Sequence, residues 1–366
     1  MLAHPPLWLI LAAFLCALGP LVFFHELGHY LVARLFGISA ETFSIGFGPE
    51  IVGWSDRQGT RWKLAWLPLG GYVRFVGDMS PAGNPADLES IPAELREKAF
   101  QLRPVWQRFL VVLAGPATNF LLAIIIFAAF FAAVGAPTSS IVGAVLPDSP
   151  AAHAGIRPGD RILSLAGRQT PTFADLFNAT AIRPDEVVSV VTQRGASTIR
   201  LQLKLGVDTS LKAPNGQSIR RGVLGIEADR QRLQPMPLTQ AIPESVRQTG
   251  RITRGILDSL WQMIGGYISP KQLGGPISIA KVAGDVATLG PLEFVQLLAF
   301  LSINLGFINL LPVPLLDGGH LFFYGIEAVR RRPVSVAALD WAFRGGLAVI
   351  LTSLIFVIGK DLGLWK

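Results

Sequence analysis

Cysteine is almost missing from this chain: Cys16 is the only one in 366 residues. A lone cysteine forms no intramolecular disulfide and therefore reports nothing about redox compartment. The shortage also excludes a zinc site built on thiolates, so any metal must be held by histidine and carboxylate. Cys16 lies in an apolar run and reads as a small buried hydrophobe. Charge is scarce too. Asp, Glu, Lys and Arg make up 16% of the chain, against about a quarter of an ordinary soluble domain. Hydrophobic residues make up 51%, and they are clustered. The combination points to a membrane protein with a soluble part. The net charge of +7 is modest for this length. No run of basic and aromatic residues offers a strand-binding surface, so nucleic acid is not an expected partner.

Long apolar runs are what the chain has instead. Four are long enough to cross a bilayer, which takes about 20 helical residues. The expected order is a first transmembrane helix over residues 1–36, a loop over 37–104 and a second helix over 105–134. A soluble domain over 135–241 and an amphipathic helical connector over 242–291 follow. A third helix over 292–317, a loop over 318–336 and a fourth helix over 337–358 complete it. The first run lacks the basic n-region and small-x-small exit of a signal peptide, and its apolar pattern continues past charged residues, so a retained helix is expected. Basic residues in short loops set the orientation. Arg57, Arg61, Lys63, Arg74, Arg96, Lys98 and Arg103 separate the first two spans, and Arg330, Arg331 and Arg332 separate the last two. Both loops are expected in the cytoplasm, with both termini and residues 135–291 on the far side. Trp8, Trp341 and Trp365 suit membrane interfaces. His4 and His153 read as surface or loop residues.

The far-side insert alternates like a strand over 141–146. It continues with Ser149-Pro150-Ala151, Ala154-Gly155 and Pro158-Gly159-Asp160. Strands are expected over 161–165, 187–193 and 198–205, with a short helix over 173–181. This order resembles a PDZ domain of the bacterial protease type, in one copy; residues 206–243 fit no clear pattern. In the cytoplasmic loop, 43–49, 61–67 and 71–76 are strand-like, with turn signals at 56–59 and 68–71. They are too apolar for a free loop and too short to span. Irregular backbone at membrane depth is tolerated where it lines a cavity, so a β-hairpin element dipping toward the membrane site is expected.

Chemistry is concentrated at His25-Glu26-Leu27-Gly28-His29. Histidines at i and i+4 share one helix face, where two ring nitrogens can reach one zinc ion. Glu26 beside them can take a proton from an attacking water. Three ionisable groups in five residues of an apolar span need a compensating partner, and a divalent cation supplies it. The alternative is an interfacial helix end with solvated polar residues. A catalytic zinc ordinarily has a third protein ligand, and Asp317 is the outstanding candidate. It follows Pro312-Val313-Pro314-Leu315-Leu316 and precedes Gly318-Gly319. The prolines break regular helix hydrogen bonding, and the glycines permit a close backbone approach. Read alone, Asp317 would be an ordinary helix-end carboxylate. His320 reads as a helix-start residue. Asn119 either reaches across to the site or ties two helices together.

The His25–His29 motif, the 312–319 stretch and the PDZ-like insert together resemble the site-2 protease family. The likeness is closest to bacterial regulator-of-sigma-E proteases, which cleave anti-sigma factors. The stretches 43–49 and 68–73, Ala114-Gly115-Pro116 with Asn119-Phe120, and 274–280 also match, so the resemblance extends over all four spans. It implies a polytopic α-helical protein of the bacterial inner membrane with about four transmembrane helices, a membrane-associated β-hairpin and one inserted PDZ-like α+β domain in the periplasm. It implies zinc held by His25, His29 and Asp317, with Glu26 as general base. It further implies that Asn309 helps hold a substrate strand, and the hairpin residues Gly70, Gly71, Tyr72 and Val73 are expected to do so too. The implied substrates are anti-sigma-factor-like single-pass membrane proteins and remnant signal peptides. The lipid bilayer is the other expected partner. A PDZ scaffold would leave Glu26 and Asp317 unexplained. A metal transporter would leave the H-E-x-x-H order and the insert unexplained.

Overall fold

The computed structural model describes residues 5–77, 93–135, 140–208, 220–228, 235–265 and 274–361. His4, Trp365 and, within the stretch 206–243, residues 209–219 and 229–234 lie outside the described residues. The leading apolar run forms α1 (Leu7–Leu35). Strands β1 (Ala40–Ser55) and β2 (Arg61–Phe75) follow, then a one-turn helix α2 (Ala93–Arg96) and the long α3 (Val105–Ala133). After the soluble insert come α6 (Leu238–Ile264), α7 (Pro276–Leu289), α8 (Pro291–Asn309), α9 (Asp317–Arg330) and α10 (Val336–Asp361). Helices α1, α3, α8 and α10 are long and apolar enough to cross a bilayer, so the chain is a multi-pass membrane protein. Leu11, Leu15, Leu121, Ile125, Leu347 and Leu351 on these helices are exposed. Such exposure is unremarkable against lipid tails, which are as apolar as leucine. Cys16 lies on this outward side of α1, exposed rather than buried as expected. Lipid removes the pressure that would turn a small apolar side chain inward. Trp8 and Trp341 are exposed, and so is His153.

The expected third span of 292–317 is helical only to Asn309. Residues 310–316 form the break, and Asp317 opens α9 instead of closing α8. The expected helical connector over 242–291 contains two helices, α6 and α7. The first of them, α6, is amphipathic in an unusual sense. It buries the small residues Ala241, Ser245 and Thr249 and exposes Leu238, Ile242, Val246, Leu257 and Trp261.

The chain divides into two compact units. One comprises Met1–Ala128, Ile242–Ser269 and Leu273–Leu362; the other is chiefly Ala129–Ala241. In the first, α1 packs against α7, α8 and the hairpin strands. The first half of β1 lies between the two halves of β2. Ala40 to Ile45 pair with Phe75 to Gly71, and Thr42 to Ile45 also run alongside Arg61 to Leu64. The outer half of β1, Glu50 to Ser55, pairs back on Ala65 to Arg61. The turn expected at 68–71 is present as a reversal within β2: Arg61 to Leu64 run alongside Thr42 to Ile45 in the same direction, Gly71 to Phe75 run past that segment in the opposite direction, and Gly70 between them sits at φ 128°. Phe43, 1% exposed, stacks on Trp62 with ring centroids 4.2 Å apart and packs with Tyr30, Ile38 and Phe75. Burying one such aromatic contributes about 1.5–3 kcal/mol, and this core fixes the hairpin to α1. The turn is tied at Asp56, which accepts hydrogen bonds from Trp62, Thr60, Gln58 and Tyr30. Burial pushes the Asp56 carboxyl up, but these donors together hold it down at about 2.

The second unit contains β3 (Val142–Val145), α4 (Pro150–His153), β4 (Arg161–Leu165), β5 (Arg168–Gln169), α5 (Phe173–Ala181), β6 (Val187–Arg194), β7 (Ser197–Lys204), β8 (Gly206–Asp208), β9 (Arg221–Val223) and β10 (Ile226–Ala228). Four strands form a sheet in the order β5-β4-β6-β7, while β10 pairs with β3 and β8 with β9, all antiparallel. A capping box between Thr172 and Asp175 starts α5. Ile162, Leu165, Leu176, Val190, Leu205 and Leu224 form the centre of its core. Asp160 is buried and bonded by Arg194, which holds its carboxyl below the usual range.

Candidate metal centre

His25 and His29 stand one turn apart on α1, each 8% exposed, with ring centroids 4.8 Å apart and edge to face. Asp317 reaches them because the chain breaks between α8 and α9. Pro312 and Pro314 cannot continue a helix, and Leu315 turns the backbone at φ 80°. Gly318 and Gly319 lie against the carbonyls of Leu310, Leu311 and Val313, where any Cβ would collide. The element these two glycines admit is their own preceding loop.

Nε2 of His25 lies 3.2 Å from Asp317 Oδ2, Nε2 of His29 lies 3.5 Å from the same oxygen, and the two Nε2 atoms are 3.3 Å apart. Ligands of a tetrahedral zinc with bonds of about 2.0–2.1 Å sit roughly 3.3–3.4 Å from one another. Asp317 Oδ2 is buried and accepts no hydrogen bond. A carboxylate oxygen so placed requires a cation. Two imidazoles and one carboxylate also match the donor set of catalytic zinc sites with a fourth position open. The residues present therefore fit zinc, and among the described residues these three form the one such cluster.

Outer contacts aim both rings. His29 Nδ1 donates to the Val111 carbonyl oxygen at 2.8 Å, and His25 Nδ1 lies 3.0 Å from Asn119 Nδ2. Both partners belong to α3. Asn119 is itself anchored where Ser302 Oγ of α8 donates to its carbonyl at 2.7 Å. Helices α1 and α3 approach so closely that a Cβ at Gly115 would overlap His29 Nε2, and one at Gly28 would overlap Thr118 and the Ala114 carbonyl. Arg108 of α3 pairs with Glu327 of α9 at 2.7 Å and lies over the Tyr324 ring, tying together the elements on either side of the site.

A cavity of about 1050 Å³ opens on this cluster. Glu26 and Val73 both line it. Gly71 abuts the Glu26 side chain; a Cβ there would stand 3.1 Å from Glu26 Cγ and 2.8 Å from the Ser44 carbonyl. Gly70, Tyr72 and Asn309 line the same cavity, so the expected metal ligands, base and substrate-holding residues all border one space. His320 also lines it, with its ring 5.2 Å from that of Phe343, and lies outside the three-atom cluster. Sequence reasoning missed Val111 and Gly115 as elements of the site. A backbone carbonyl leaves no sequence signal, and Gly115 stood out only within the Ala114-Gly115-Pro116 match.

The model of peptidase family M50 matches residues 13–353. A Rhizobium meliloti protein named as a candidate zinc metalloprotease is 44% identical over 356 residues, covering 95% of each chain. A similarly named protein of Mesorhizobium japonicum is 42% identical over 360 residues, covering 96% of this chain and 98% of the relative. Metalloprotease MmpA of Caulobacter vibrioides is 36% identical over 381 residues, covering 97% and 95%. Together with a zinc-compatible cluster on an apolar, membrane-length helix, these matches establish that the chain belongs to peptidase family M50 and is a multi-pass membrane zinc metalloprotease.

Proposed function

We propose that this metalloprotease cuts peptide bonds within the plane of the bilayer, with His25, His29 and Asp317 as zinc ligands and Glu26 as general base. The observation that carries the reading is the triangle of donor atoms, with 3.2, 3.3 and 3.5 Å edges, on a helix apolar enough to span a membrane. Zinc, when bound, supplies Lewis-acid activation of the attacking water and the scissile carbonyl. Glu26 takes the proton from that water and returns it to the leaving amine. Glu26 lines the cavity together with His25, His29 and Asp317.

The substrates are single-pass membrane proteins, of which anti-sigma-factor-like proteins and remnant signal peptides are the leading classes. A transmembrane helix hides its peptide bonds in internal hydrogen bonds, so the substrate must unwind before attack. Its freed backbone groups then need partners, each costing several kcal/mol if left alone in lipid. The 71–75 edge of β2, unpaired on one side among the described residues and bordering the cavity, supports strand addition there. Asn309 would hold the opposite side of the strand through its amide. Exposed Phe47, Ile51, Val52, Trp54 and Trp66 support a hairpin seated in the membrane interface. The second unit is PDZ-like, a reading supported by its antiparallel β5-β4-β6-β7 sheet, α5 and the 149–160 motif. The bacterial source of the relatives supports a bacterial inner-membrane location, and basic residues in the loops support its orientation. The zinc site would lie near the cytoplasm, with both termini and the PDZ-like unit in the periplasm.

The test uses the purified full chain with a transmembrane peptide. Cleavage should vanish on chelation and return with zinc. Glu26→Gln should keep its zinc and lose about 10²–10⁴-fold in rate, whereas Asp317→Ala should lose the metal. Full zinc occupancy in Asp317→Ala, or near-normal cleavage by Glu26→Gln, would sink the assignment.

A further inference from the structure

Both ring orientations matter at a site of this kind, because a neutral imidazole binds a cation only through its unprotonated nitrogen. For His29 the question is settled by its neighbour. The Val111 carbonyl can only accept, so Nδ1 carries the proton and the Nε2 lone pair points into the cluster. For His25 the neighbour is an amide, which can either donate or accept. Asn119 is completely buried, and its Nδ2 end lies 3.0 Å from His25 Nδ1. Its Oδ1 end is buried without a hydrogen-bond partner. A half-turn of the amide exchanges the two ends without moving the chain.

The two orientations have opposite chemical consequences. With Nδ2 donating to Nδ1, the proton of His25 sits on Nε2, 3.3 Å from His29 Nε2. The rings then share a hydrogen bond, and the two lone pairs cannot meet one cation. With Oδ1 facing His25, Nδ1–H donates to the amide oxygen and the Nε2 lone pair joins that of His29. We infer that Asn119 is a positioning residue for the metal centre: its Oδ1 accepts the His25 Nδ1–H and fixes the ring form in which Nε2 can ligate zinc. This rests on the assignment of His25, His29 and Asp317 as ligands. It also explains why two partners on one helix, Val111 and Asn119, serve two histidines on another. The anchoring of the Asn119 backbone by Ser302 gives the amide a fixed pivot.

The experiment measures the zinc dissociation constant of the full-length protein in detergent by competition with a chelator. Asn119→Leu keeps the size and removes the acceptor. It should weaken zinc binding about 10–100-fold, the usual effect of losing such an outer partner. Asn119→Ala gives the same readout if the leucine side chain does not fit. Asn119→Asp presents an acceptor at both ends and should retain wild-type affinity. That rescue separates orientation of the ring from simple packing between helices. Wild-type affinity in a folded Asn119→Leu or Asn119→Ala protein overturns the inference, and so does an Asn119→Asp protein as weak as the leucine variant. His25→Ala is the control. If it binds zinc normally, the ligand assignment itself fails and this inference fails with it, whereas loss in His25→Ala with retention in Asn119→Leu overturns this inference alone.

Discussion

A methyl group added at Gly115 would overlap Nε2 of His29. That nitrogen is needed free for the metal, and the neighbouring His29 Nδ1 is committed to the Val111 carbonyl. The ring therefore cannot swing aside without breaking its aiming bond. Gly115→Ala should weaken zinc binding by at least about tenfold, in the range of changes to the outer shell, while the protein still folds. Measurement of bound metal and of thermal unfolding on the same sample checks this; unchanged zinc affinity would show that α3 can shift away. The ligands were legible in the sequence because their signal is chemical: ionisable side chains in an apolar span demand a partner. Gly115 and Val111 were not, since a missing Cβ and a main-chain oxygen gain meaning only when α1 and α3 are side by side. Asn119 was recognisable as a polar residue in a span, but which of its two readings holds depends on the 3.0 Å approach to His25.

At the scale of the element, the hairpin was anticipated as three short strands and is built from two long ones that bend back. The turn signals at 68–71 mark the reversal between the two halves of β2, and Gly70 and Gly71 there also permit close approach to Phe47 and to Glu26. The bend has a consequence for strand addition. Along an antiparallel edge, alternate N–H groups face outward. The Val76 N–H donates to the Ser39 carbonyl oxygen on the β1 side, so the Val73 and Phe75 N–H groups face outward. Val73 also lines the cavity with Glu26, and a proline at that position would disturb the base and the edge at once. Phe75 is two residues on and shares its orientation; because its ring belongs to the hairpin core, the probe is Phe75→Pro measured against Phe75→Ala, which loses the ring and keeps the N–H. Phe75→Pro should lower cleavage of a transmembrane peptide at least about tenfold relative to Phe75→Ala with zinc content unchanged, whereas proline at Arg74 removes an inward N–H and should instead loosen the pairing with Thr42. Normal cleavage by a folded, zinc-loaded Phe75→Pro protein would count against strand addition at 71–75. The break between α8 and α9 was likewise half legible: the two prolines announced it, but only the backbone shows that Asp317 starts the next helix.

At the scale of the whole molecule, the second unit was readable from 141 to 205, where strands of four to eight residues and a nine-residue helix leave a periodic trace. Beyond Leu205 it was not, because β8, β9 and β10 are three residues each, too short for alternation to register. Those short strands decide how the unit can be removed. Strand β10 pairs with β3, and Leu224 belongs to the same core as Val142 and Ile162. Excising 142–205 alone would leave β10 without its partner and Leu224 without its core. Excision should run from 142 to 228, with a Gly/Ser linker in its place. If the PDZ-like unit screens substrates by the size of their periplasmic part or by a newly exposed C-terminus, it takes no part in the chemistry, since Glu26 and the three donor atoms all belong to the other unit. The excised protein should then cut short, pre-trimmed membrane peptides at a rate within about threefold of the full chain, since surface elements away from a site seldom alter its energetics by more than about 0.5 kcal/mol. It should also accept untrimmed substrates that the full chain rejects. Parallel assays of both substrate forms, with zinc content measured for each protein, separate the outcomes. Loss of pre-trimmed cleavage in a folded, zinc-loaded excision protein would show that the unit acts on the catalytic half directly rather than as a filter.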